Sequence, residues 1–478
     1  MHPLRLILLL LALATAAAAA DRKPNFLFIY TDDQRHDAMG VVQREQGERA
    51  RFPWFKSPHM DRLAAEGVRF RNAFVTLSLC APSRAAYLTG RYNHLNGVAN
   101  NRTFFPENSV THATLLRAAG YKTAYIGKWH MGGQTGQRPG FDYSVSFIGQ
   151  GRYNDCPVEI NGVLTPTTGW IDDIDTAYAI EWMKQNRANP FSMVVGFKTP
   201  HGPRGGANLP ERLRTLYAGE KSRPVPNLAV RAIYQAPGAA GTPGAAADVI
   251  GVTPAAQAAH LDYFRHITGA DENLGKLLAA LDELGLADDT VVVYSSDNGY
   301  YLGEHGLGDK RSLYEESLRV PMLVRYPRLF AKGAVRDEMV LNIDLAPTFL
   351  DLAGVPAPRE MQGASWKPIA AGQKPAGWRT SFLAEYFLEG AYPTPTMVGV
   401  RTANSKIVKY PAHPEWTEVF DLAVDPYELN NLASNPAATA KLSAELDAQI
   451  KATNYAEPPG MDKPGQPAAK AKKKAKTQ

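Results

Sequence analysis

The chain has 478 residues, of which 45% are hydrophobic and 21% charged, and it carries a formal net charge of +5. This balance is typical of a soluble globular protein, and the length is sufficient for one large domain and a smaller one. Several of the lysines behind the positive charge lie in the last residues, "KPGQPAAKAKKKAKTQ", and the body of the chain has no basic stripe with interleaved aromatic residues. We therefore expect no nucleic-acid partner.

The first residues, "MHPLRLILLLLALATAAAAADRK", have the layout of a secretory signal peptide. A short basic start precedes an apolar run and a series of alanines, which predicts a signal peptide over residues 1–20. A membrane anchor is the alternative, but the leucine-rich run is shorter than the roughly 20 residues of a spanning helix, and no lipid-accepting cysteine follows it. We expect an exported protein, periplasmic or secreted, without stable membrane insertion.

Strands and helices alternate over the next part of the chain. The stretch "PNFLFIYTDD" is an apolar run that ends in two acids, and it predicts the first strand. Three helix and strand pairs follow, with the strands "YKTAYIGKWH", "FSMVVGFKTPH" and "TVVVYSSDNG". The alternation predicts an α/β fold, in which a large, mostly parallel sheet is sandwiched by helices and the binding residues gather at the carboxyl ends of the strands.

The remaining segments predict a smaller domain and two irregular regions. Between His201 and Pro254 the chain is rich in Gly, Pro and Ala, and we expect a long surface excursion that shapes the substrate pocket. Beyond Trp366, short strands and a final helix near residues 437–452 predict a C-terminal α+β subdomain. The expected bounds are 21–375 for the large domain, 376–456 for the subdomain and 457–478 for a disordered tail.

Oxygen-bearing residues end two of the predicted strands: Asp32, Asp33, Asp297 and Asn298. Because parallel strands end at one sheet edge, folding brings three carboxylates and one amide oxygen together. Such a set favours Ca²⁺ or Mg²⁺ over zinc, and a site with several oxygens favours the larger Ca²⁺. Either pair alone is a weak indication, since both dipeptides are common at turns and helix caps.

Basic residues and histidines follow the predicted strands or lie beside Cys80: Arg84, Lys128, His130, His201 and Lys310. A single residue of this kind is more often a surface charge or a structural histidine. Together, and beside a metal ion, they predict a strongly positive pocket that stabilises a tetrahedral oxyanion.

The motif "CAPSRAAYLTGR", which begins at Cys80, resembles the C-x-P-S-R-x-x-x-L-T-G signature of the type I sulfatases. Similar stretches occur along nearly the whole mature chain: "TDD", "SPHMDRLAAEGVRFRNAF", "GKWH", "TPH", "SDNG", "GDK" and "EVFDLAVDPYELNNLA". The chain is identified as a member of that family. The resemblance implies the alkaline-phosphatase-like fold and hydrolysis of sulfate monoesters.

The resemblance also implies a modified nucleophile. In this family a separate maturation enzyme oxidises the cysteine to formylglycine, and one hydroxyl of the hydrated aldehyde attacks sulfur. A thiol in its place would hold the sulfate in an ester that water releases poorly. By resemblance, Arg84 holds the hydrate, and the formylglycine oxygen at position 80 completes a Ca²⁺ site with Asp32, Asp33, Asp297 and Asn298.

The other implied roles concern sulfate binding and proton transfer. Lys128 and Lys310 resemble the family residues that contact sulfate oxygens. His130 resembles the base of the release step, and His201 resembles the general acid at the leaving-group oxygen.

The substrate is predicted with less detail. The stretches "YNHLNGVANNRTFFPEN" and "PGFDYSVSFIGQGRYND" resemble exported bacterial enzymes similar to glucosamine-6-sulfatases, which implies an exo-acting carbohydrate sulfatase. His305, in "GEHGLGDK", is predicted to face the sugar, with a loop or helix-cap histidine as the alternative. Aromatic residues that can stack on a sugar or pack in the core are Trp129, Tyr153, Tyr300 and Tyr301.

Two other functions stay open at this point. A phosphate or phosphonate monoester hydrolase on the same fold would bind a similar tetrahedral anion. A non-catalytic glycan-binding relative would keep Cys80 unmodified or pair it with Cys156.

Overall fold

The structure is a computed structural model that describes residues 23–235 and 252–462. The predicted signal peptide lies outside the described residues, as do residues 463–478 of the predicted tail and residues 236–251 of the predicted excursion. Within this part of the chain, no helix is both long and apolar enough to cross a membrane.

Sixteen strands lie in the described ranges. In chain order they are β1 (Asn25–Thr31), β2 (Val68–Phe70), β3 (Ala73–Phe74), β4 (Lys122–Gly127), β5 (Tyr143–Ser146), β6 (Val158–Ile160), β7 (Val163–Thr165), β8 (Phe191–Gly196), β9 (Thr290–Ser296), β10 (Leu323–Arg325), β11 (Ala334–Arg336), β12 (Val340–Leu341), β13 (Ser381–Tyr386), β14 (Met397–Thr402), β15 (Ser405–Lys409) and β16 (Glu418–Asp421).

Eleven α-helices lie in the same ranges. They are α1 (Gly40–Gln46), α2 (Pro58–Glu66), α3 (Cys80–Thr89), α4 (Asn93–Asn96), α5 (His112–Ala118), α6 (Ile171–Asn186), α7 (Pro254–Glu283), α8 (Glu315–Leu318), α9 (Leu345–Leu352), α10 (Lys367–Ala370) and α11 (Pro436–Thr453). The described part of the excursion carries short 3-10 turns, at Gly206–Asn208, Glu211–Leu213, Pro226–Leu228 and Ile233–Gln235.

Ten strands form the main sheet, in the order β11-β2-β10-β9-β1-β8-β4-β5-β6-β7. At its centre β9, β1, β8, β4 and β5 are parallel neighbours. Strand β10 and the β6-β7 hairpin are antiparallel and lie towards the two ends. The predicted α/β fold with a large, mostly parallel sheet is confirmed, and short antiparallel strands extend it.

Apolar side chains cover both faces of this sheet. Along β1, Leu27 and Ile29 point into one buried cluster, which also contains residues of α2, α6 and α7. Phe26 and Phe28 point into a second cluster, with residues of α3, α5 and α9. Because successive side chains of a strand alternate between faces, a continuous apolar run places β1 between two layers of helices.

The C-terminal strands form a separate antiparallel sheet, in the order β13-β14-β15-β16, and α11 packs against it. A third apolar cluster joins this sheet to the large domain, since it contains Leu79 and Ala86 as well as Phe382. The amide of Glu385 also donates to the carbonyl of Thr76 at 2.9 Å. The smaller sheet therefore packs against the segment that carries Cys80.

Candidate active site

Four parallel strands end side by side at one edge of the main sheet. Thr31 of β1 is in register with Ser296 of β9, and Tyr30 is in register with Gly196 of β8. Gly196 is in turn in register with Gly127, the last residue of β4. The segments that follow these strands therefore start from neighbouring positions, and they carry Asp32, Asp297, Lys128 and His201.

Cys80, the first residue of α3, lies at the same edge. Leu79 before it is extended, and the chain turns into the helix at the cysteine. The buried Sγ atom of Cys80 lies 3.4 Å from Oδ1 of Asp32. The next amide, that of Ala81, donates to Oδ1 of Asn101 at 2.9 Å. The N-terminus of α3, which is the positive end of its dipole, therefore lies at the carboxyl edge of the sheet.

We call Asp32, Asp33, Asp297 and Asn298 the acid cluster. Carboxylate oxygens of its three aspartates lie within 4.8 Å of one another, and all are buried. Asn298 donates from Nδ2 to Oδ1 of Asp33 at 2.7 Å, while its own buried Oδ1 has no hydrogen-bond partner among the described residues. A buried amide oxygen normally accepts a hydrogen bond or binds an ion, so this unpaired oxygen is available to a ligand. An all-oxygen donor set with one unpaired oxygen fits a hard divalent cation.

Three buried cations contact the acid cluster. Arg84 donates from Nη2 to Oδ2 of Asp297 at 2.8 Å and to Oδ2 of Asp32 at 3.0 Å. Lys128 forms an ion pair with Asp32, and Lys310 pairs with Oδ1 of Asp33 at 2.8 Å. The side chains of these cations are at most 5% exposed, so their charges are poorly screened by water.

Burial and neighbouring charges shift the pKa values of Asp32 and Asp297 in opposite directions. Burial alone would raise the pKa of Asp32, but the charges around it, Lys128 foremost, outweigh burial and hold that pKa well below its usual value. Burial and the negative charge of Asp32 raise the pKa of Asp297 to about 7. The same two causes raise the pKa of Cys80, so an unmodified sulfur stays a thiol at neutral pH.

Two histidines face this group of charges. Nδ1 of His201 contacts the carbonyl oxygen of Gly202 at 2.7 Å, which fixes the proton on Nδ1 and leaves Nε2 to accept a proton. His130 is buried and has a left-handed backbone, with φ +46°. Burial and the charge of Lys128 lower the pKa of both rings well below the usual value, so both are neutral near pH 7.

A cleft of about 460 Å³ opens beside these residues. Its lining includes three of the site residues predicted from the sequence, Asp33, His201 and Lys310. It also includes polar, charged and aromatic residues that were not predicted from the sequence: Asn101, Arg102, Gln150, Asp309, Arg311, Glu389 and Tyr392. Gln150 accepts a hydrogen bond from Nζ of Lys128 at 2.6 Å. The cleft therefore joins the buried acid cluster and its cations to a wall that carries both positive and negative side chains.

The family model for sulfatases matches residues 24–355. The chain belongs to the sulfatase family. It is therefore a sulfuric ester hydrolase. A second model, for the C-terminal part of N-sulphoglucosamine sulphohydrolase, matches residues 303–456 of this sulfatase.

Individual relatives cover most of the sulfatase chain. It is 32% identical to N-acetylglucosamine-6-O-sulfatase of Bacteroides thetaiotaomicron, over 89% of this chain and 85% of the relative. It is 30% identical to the ulvan-active sulfatase of Formosa agariphila, over 90% of this chain and 80% of the relative. A solved structure of a protein in complex with its substrate D-glucosamine-2-N,6-O-disulfate superposes with a TM-score of 0.82, at 29% identity, and covers 91% of this chain and 99% of that one.

The structure does not bring His305 to the cleft of the sulfatase. Its backbone is left-handed, with φ +53°, and its ring is buried and stacks on Tyr314 with 3.9 Å between the ring centroids. Its Nε2 atom lies 3.3 Å from Nδ2 of Asn227. The predicted contact with a sugar thus has no support from this placement, and the loop histidine given as the alternative agrees with it.

Of the four aromatic residues predicted either to stack on a sugar or to pack in the core, one lies at the cleft. Tyr300 lines the cleft, whereas Trp129, Tyr153 and Tyr301 are at most 1% exposed and pack in the core. Cys80 and Cys156 are both free and buried, and Cys156 accepts from the amide of Arg152 at 3.4 Å. In the described chain the two cysteines therefore form no disulfide.

Proposed function

We propose that this sulfatase hydrolyses sulfate monoesters on a sulfated carbohydrate of the glucosamine type, with a formylglycine formed from Cys80 and one Ca²⁺ ion per chain. One observation carries the proposal: the buried Sγ of Cys80 and three buried cations contact the acid cluster, and two members of this group, Asp33 and Lys310, line a cleft. A structural salt-bridge network needs neither the cysteine nor the opening to solvent.

Oxygens of the acid cluster are the proposed ligands of Ca²⁺, together with the oxygen at position 80. The unpaired Oδ1 of Asn298 and the closely spaced carboxylates support this assignment. When bound, Ca²⁺ offsets the negative charge of the sulfate group and of the carboxylates around it. Arg84 keeps two of the carboxylates in place, since it donates to both Asp32 and Asp297.

The modified residue supplies the nucleophile. Formylglycine, as its hydrate, offers a hydroxyl where the thiol of Cys80 would form a slowly released thiosulfate ester. The proposal therefore includes a formylglycine-generating maturation enzyme as a partner, which acts on the C-x-P-x-R sequence before folding buries it. Burial of Cys80 in the described structure agrees with modification at an unfolded stage.

Lys128 and Lys310 are proposed to bind sulfate oxygens. Both are buried, both reach the acid cluster, and Lys310 also lines the cleft. Fixed positive charges of this kind stabilise the charge that develops on a transferred group. Gln150 holds the Nζ atom of Lys128 at 2.6 Å and so fixes one of these donors.

The two histidines are proposed to move protons. His130, beside Lys128 and Arg84, acts as the base of the release step. His201 donates through Nε2 to the leaving-group oxygen, because its Nδ1 is already committed to Gly202. The negative charge of a bound sulfate ester opposes the effect of Lys128 and makes the protonated form of His201 easier to reach.

The names of the relatives and the lining of the cleft support a sugar substrate. Sulfatases acting on N-acetylglucosamine and on ulvan cover about nine-tenths of this chain, at 89% and 90%. Asp309, Arg311, Glu389 and Tyr392 give the outer cleft donors, acceptors and an aromatic face, which is the mixture that sugar rings need. The signal-peptide pattern of residues 1–20 supports export to the periplasm or the medium, where sulfated glycans are met.

A panel of esters tests the proposal. We expect turnover of N-acetylglucosamine 6-sulfate and of 4-nitrophenyl sulfate, with much slower turnover of 4-nitrophenyl phosphate. The control is Cys80→Ala, which removes the site of modification and keeps the fold. Faster turnover of the phosphate than of the sulfate would favour the phosphomonoesterase alternative, and equal turnover by the control would refute the role of Cys80.

A further inference from the structure

The last described residues run back from the C-terminal helix to the cleft. We call residues 454–462, which follow α11, the C-terminal strap. The strap turns at Asn454, whose φ is +52°, and the ring of Tyr455 then stacks on Phe387 with 6.4 Å between the ring centroids. Tyr455 also contacts the ring of His94 at 5.2 Å. The ring of Tyr455 therefore packs between the residue that follows β13 and the ring of His94 in α4.

Asp462 ends the strap and joins two other segments. Its Oδ2 atom accepts from Nη2 of Arg102 at 2.5 Å and from the backbone amide of Gly390 at 2.7 Å. The side chain of Asp462 is 3% exposed, whereas that of Arg102 is 29% exposed. A buried carboxylate with a guanidinium and an amide donor makes strong, directional bonds.

Both partners of Asp462 belong to the wall of the cleft. Arg102 lines it, and Gly390 lies between Glu389 and Ala391, which line it as well. Glu389 in turn accepts from Nε of Arg311 at 2.8 Å. The carboxylate of Asp462 thus fixes an outer wall built from two distant parts of the chain.

We propose that Asp462 is a positioning residue for the saccharide part of the substrate. It holds Arg102 and the loop at residues 389–392 in the geometry that contacts the sugar. This inference rests on the proposed function, because it assigns a role in binding the sugar. It concerns the outer wall, and the inner end that binds sulfate is held by the acid cluster and its cations.

The two ends of the cleft are proposed to bind different parts of a substrate. A small aryl sulfate needs the sulfate-binding end, whereas a glucosamine sulfate also places its ring against the outer wall. Loss of the Asp462 carboxylate should therefore weaken binding of the sugar ester more than binding of the aryl ester. The effect should appear in KM, because the reacting groups keep their contacts.

The test compares Asp462→Ala with wild type on N-acetylglucosamine 6-sulfate and on 4-nitrophenyl sulfate. We expect KM for the sugar to rise roughly tenfold, the size typical of a lost charged hydrogen bond, with kcat changed less than about twofold. The conservative Asp462→Glu should recover most of the loss. The matched control is Asp351→Asn, which breaks a surface ion pair with Lys367 away from the cleft.

Hydrogen exchange of the peptide that contains Gly390 gives a second readout, which does not need a known substrate. We expect faster exchange of this amide in Asp462→Ala and wild-type exchange in Asp351→Asn. Equal loss of activity on both esters, or no loss on either, would overturn the inference. If wild type hydrolyses the aryl ester but no glucosamine sulfate, the proposed substrate fails, and unchanged exchange at Gly390 would then overturn the positioning role as well.

Discussion

Replacement of Lys310 by alanine tests the sulfate-binding end of the cleft. The Nζ atom of Lys310 lies 2.8 Å from Oδ1 of Asp33, and the residue is 4% exposed at the inner end of the cleft. Alanine removes one buried positive charge while Lys128 and Arg84 stay in place. The acid cluster keeps the hydrogen bond from Asn298 to Asp33.

Two estimates of the transition-state stabilisation lost in Lys310→Ala agree. A unit charge about 4 Å from a developing negative charge contributes about 4 kcal/mol at an effective dielectric constant of about 20. Removal of one donor to a developing oxyanion typically costs about 2.7 to 4 kcal/mol, which is roughly 100-fold to 1,000-fold in kcat. We therefore expect Lys310→Ala to lower kcat by roughly two to three powers of ten, with a smaller change in KM.

The assay is initial-rate hydrolysis of 4-nitrophenyl sulfate, with the bound calcium and the modified fraction of Cys80 measured in each preparation. Lys367→Ala is the matched control, because Lys367 pairs with the exposed side chain of Asp351 outside the cleft. A Lys310→Ala enzyme that keeps more than about a tenth of the wild-type kcat, with full modification and calcium, would refute the reasoning.

Three further predictions address the metal, the C-terminal contacts and the backbone at the site. Chelation should abolish turnover and lower Tm, and Ca²⁺ should restore both; a fully active chelated enzyme would exclude the acid cluster as a metal site. Burial alone would lower the pKa of His94, but its hydrogen bond and ion pair with Glu385 outweigh burial and raise it. Protonated His94 therefore stabilises the folded protein fully below its unfolded pKa of about 6.5, and this stabilisation is lost as the pH rises through the folded pKa. We expect His94→Gln to lower Tm by more at pH 5.5 than at pH 9. Gly299→Ala should lower both Tm and kcat, because the new Cβ would lie 2.0 Å from the carbonyl oxygen of Glu316, whereas Gly133→Ala, with nothing within 4 Å, should change neither.

The central strands could be predicted from the sequence because they are buried on both faces. An unbroken run such as Asn25–Thr31 admits few other structures, and polar residues mark its end. The three-residue strands β2, β10 and β11 carry no such signal, since their pairing depends on segments far away in the chain. The same limit applies to the β6-β7 hairpin, where Val163 and Leu164 are exposed.

Some residues of the site could also be predicted from the sequence, and others could not. Residues that follow the central strands, such as Asp32 and Lys128, could be predicted from the rule that parallel strands end together. Glu389 and Tyr392 lie in the loop between β13 and β14 and reach the cleft through domain packing, which no local pattern encodes. His305 lies five residues before Lys310 in the sequence, but its left-handed turn directs the ring to Tyr314 instead of the cleft.

The modified state of Cys80 and the rate of sulfate hydrolysis, measured on the same preparations, test the central claim most directly. Mass spectrometry of the peptide around Cys80, in protein from the native host, should find the thiol replaced by an aldehyde or its hydrate. Across preparations with different extents of conversion, turnover of a sulfate monoester should rise in proportion to the converted fraction. Full turnover by protein whose Cys80 is an intact thiol, or is joined to Cys156, would contradict the account.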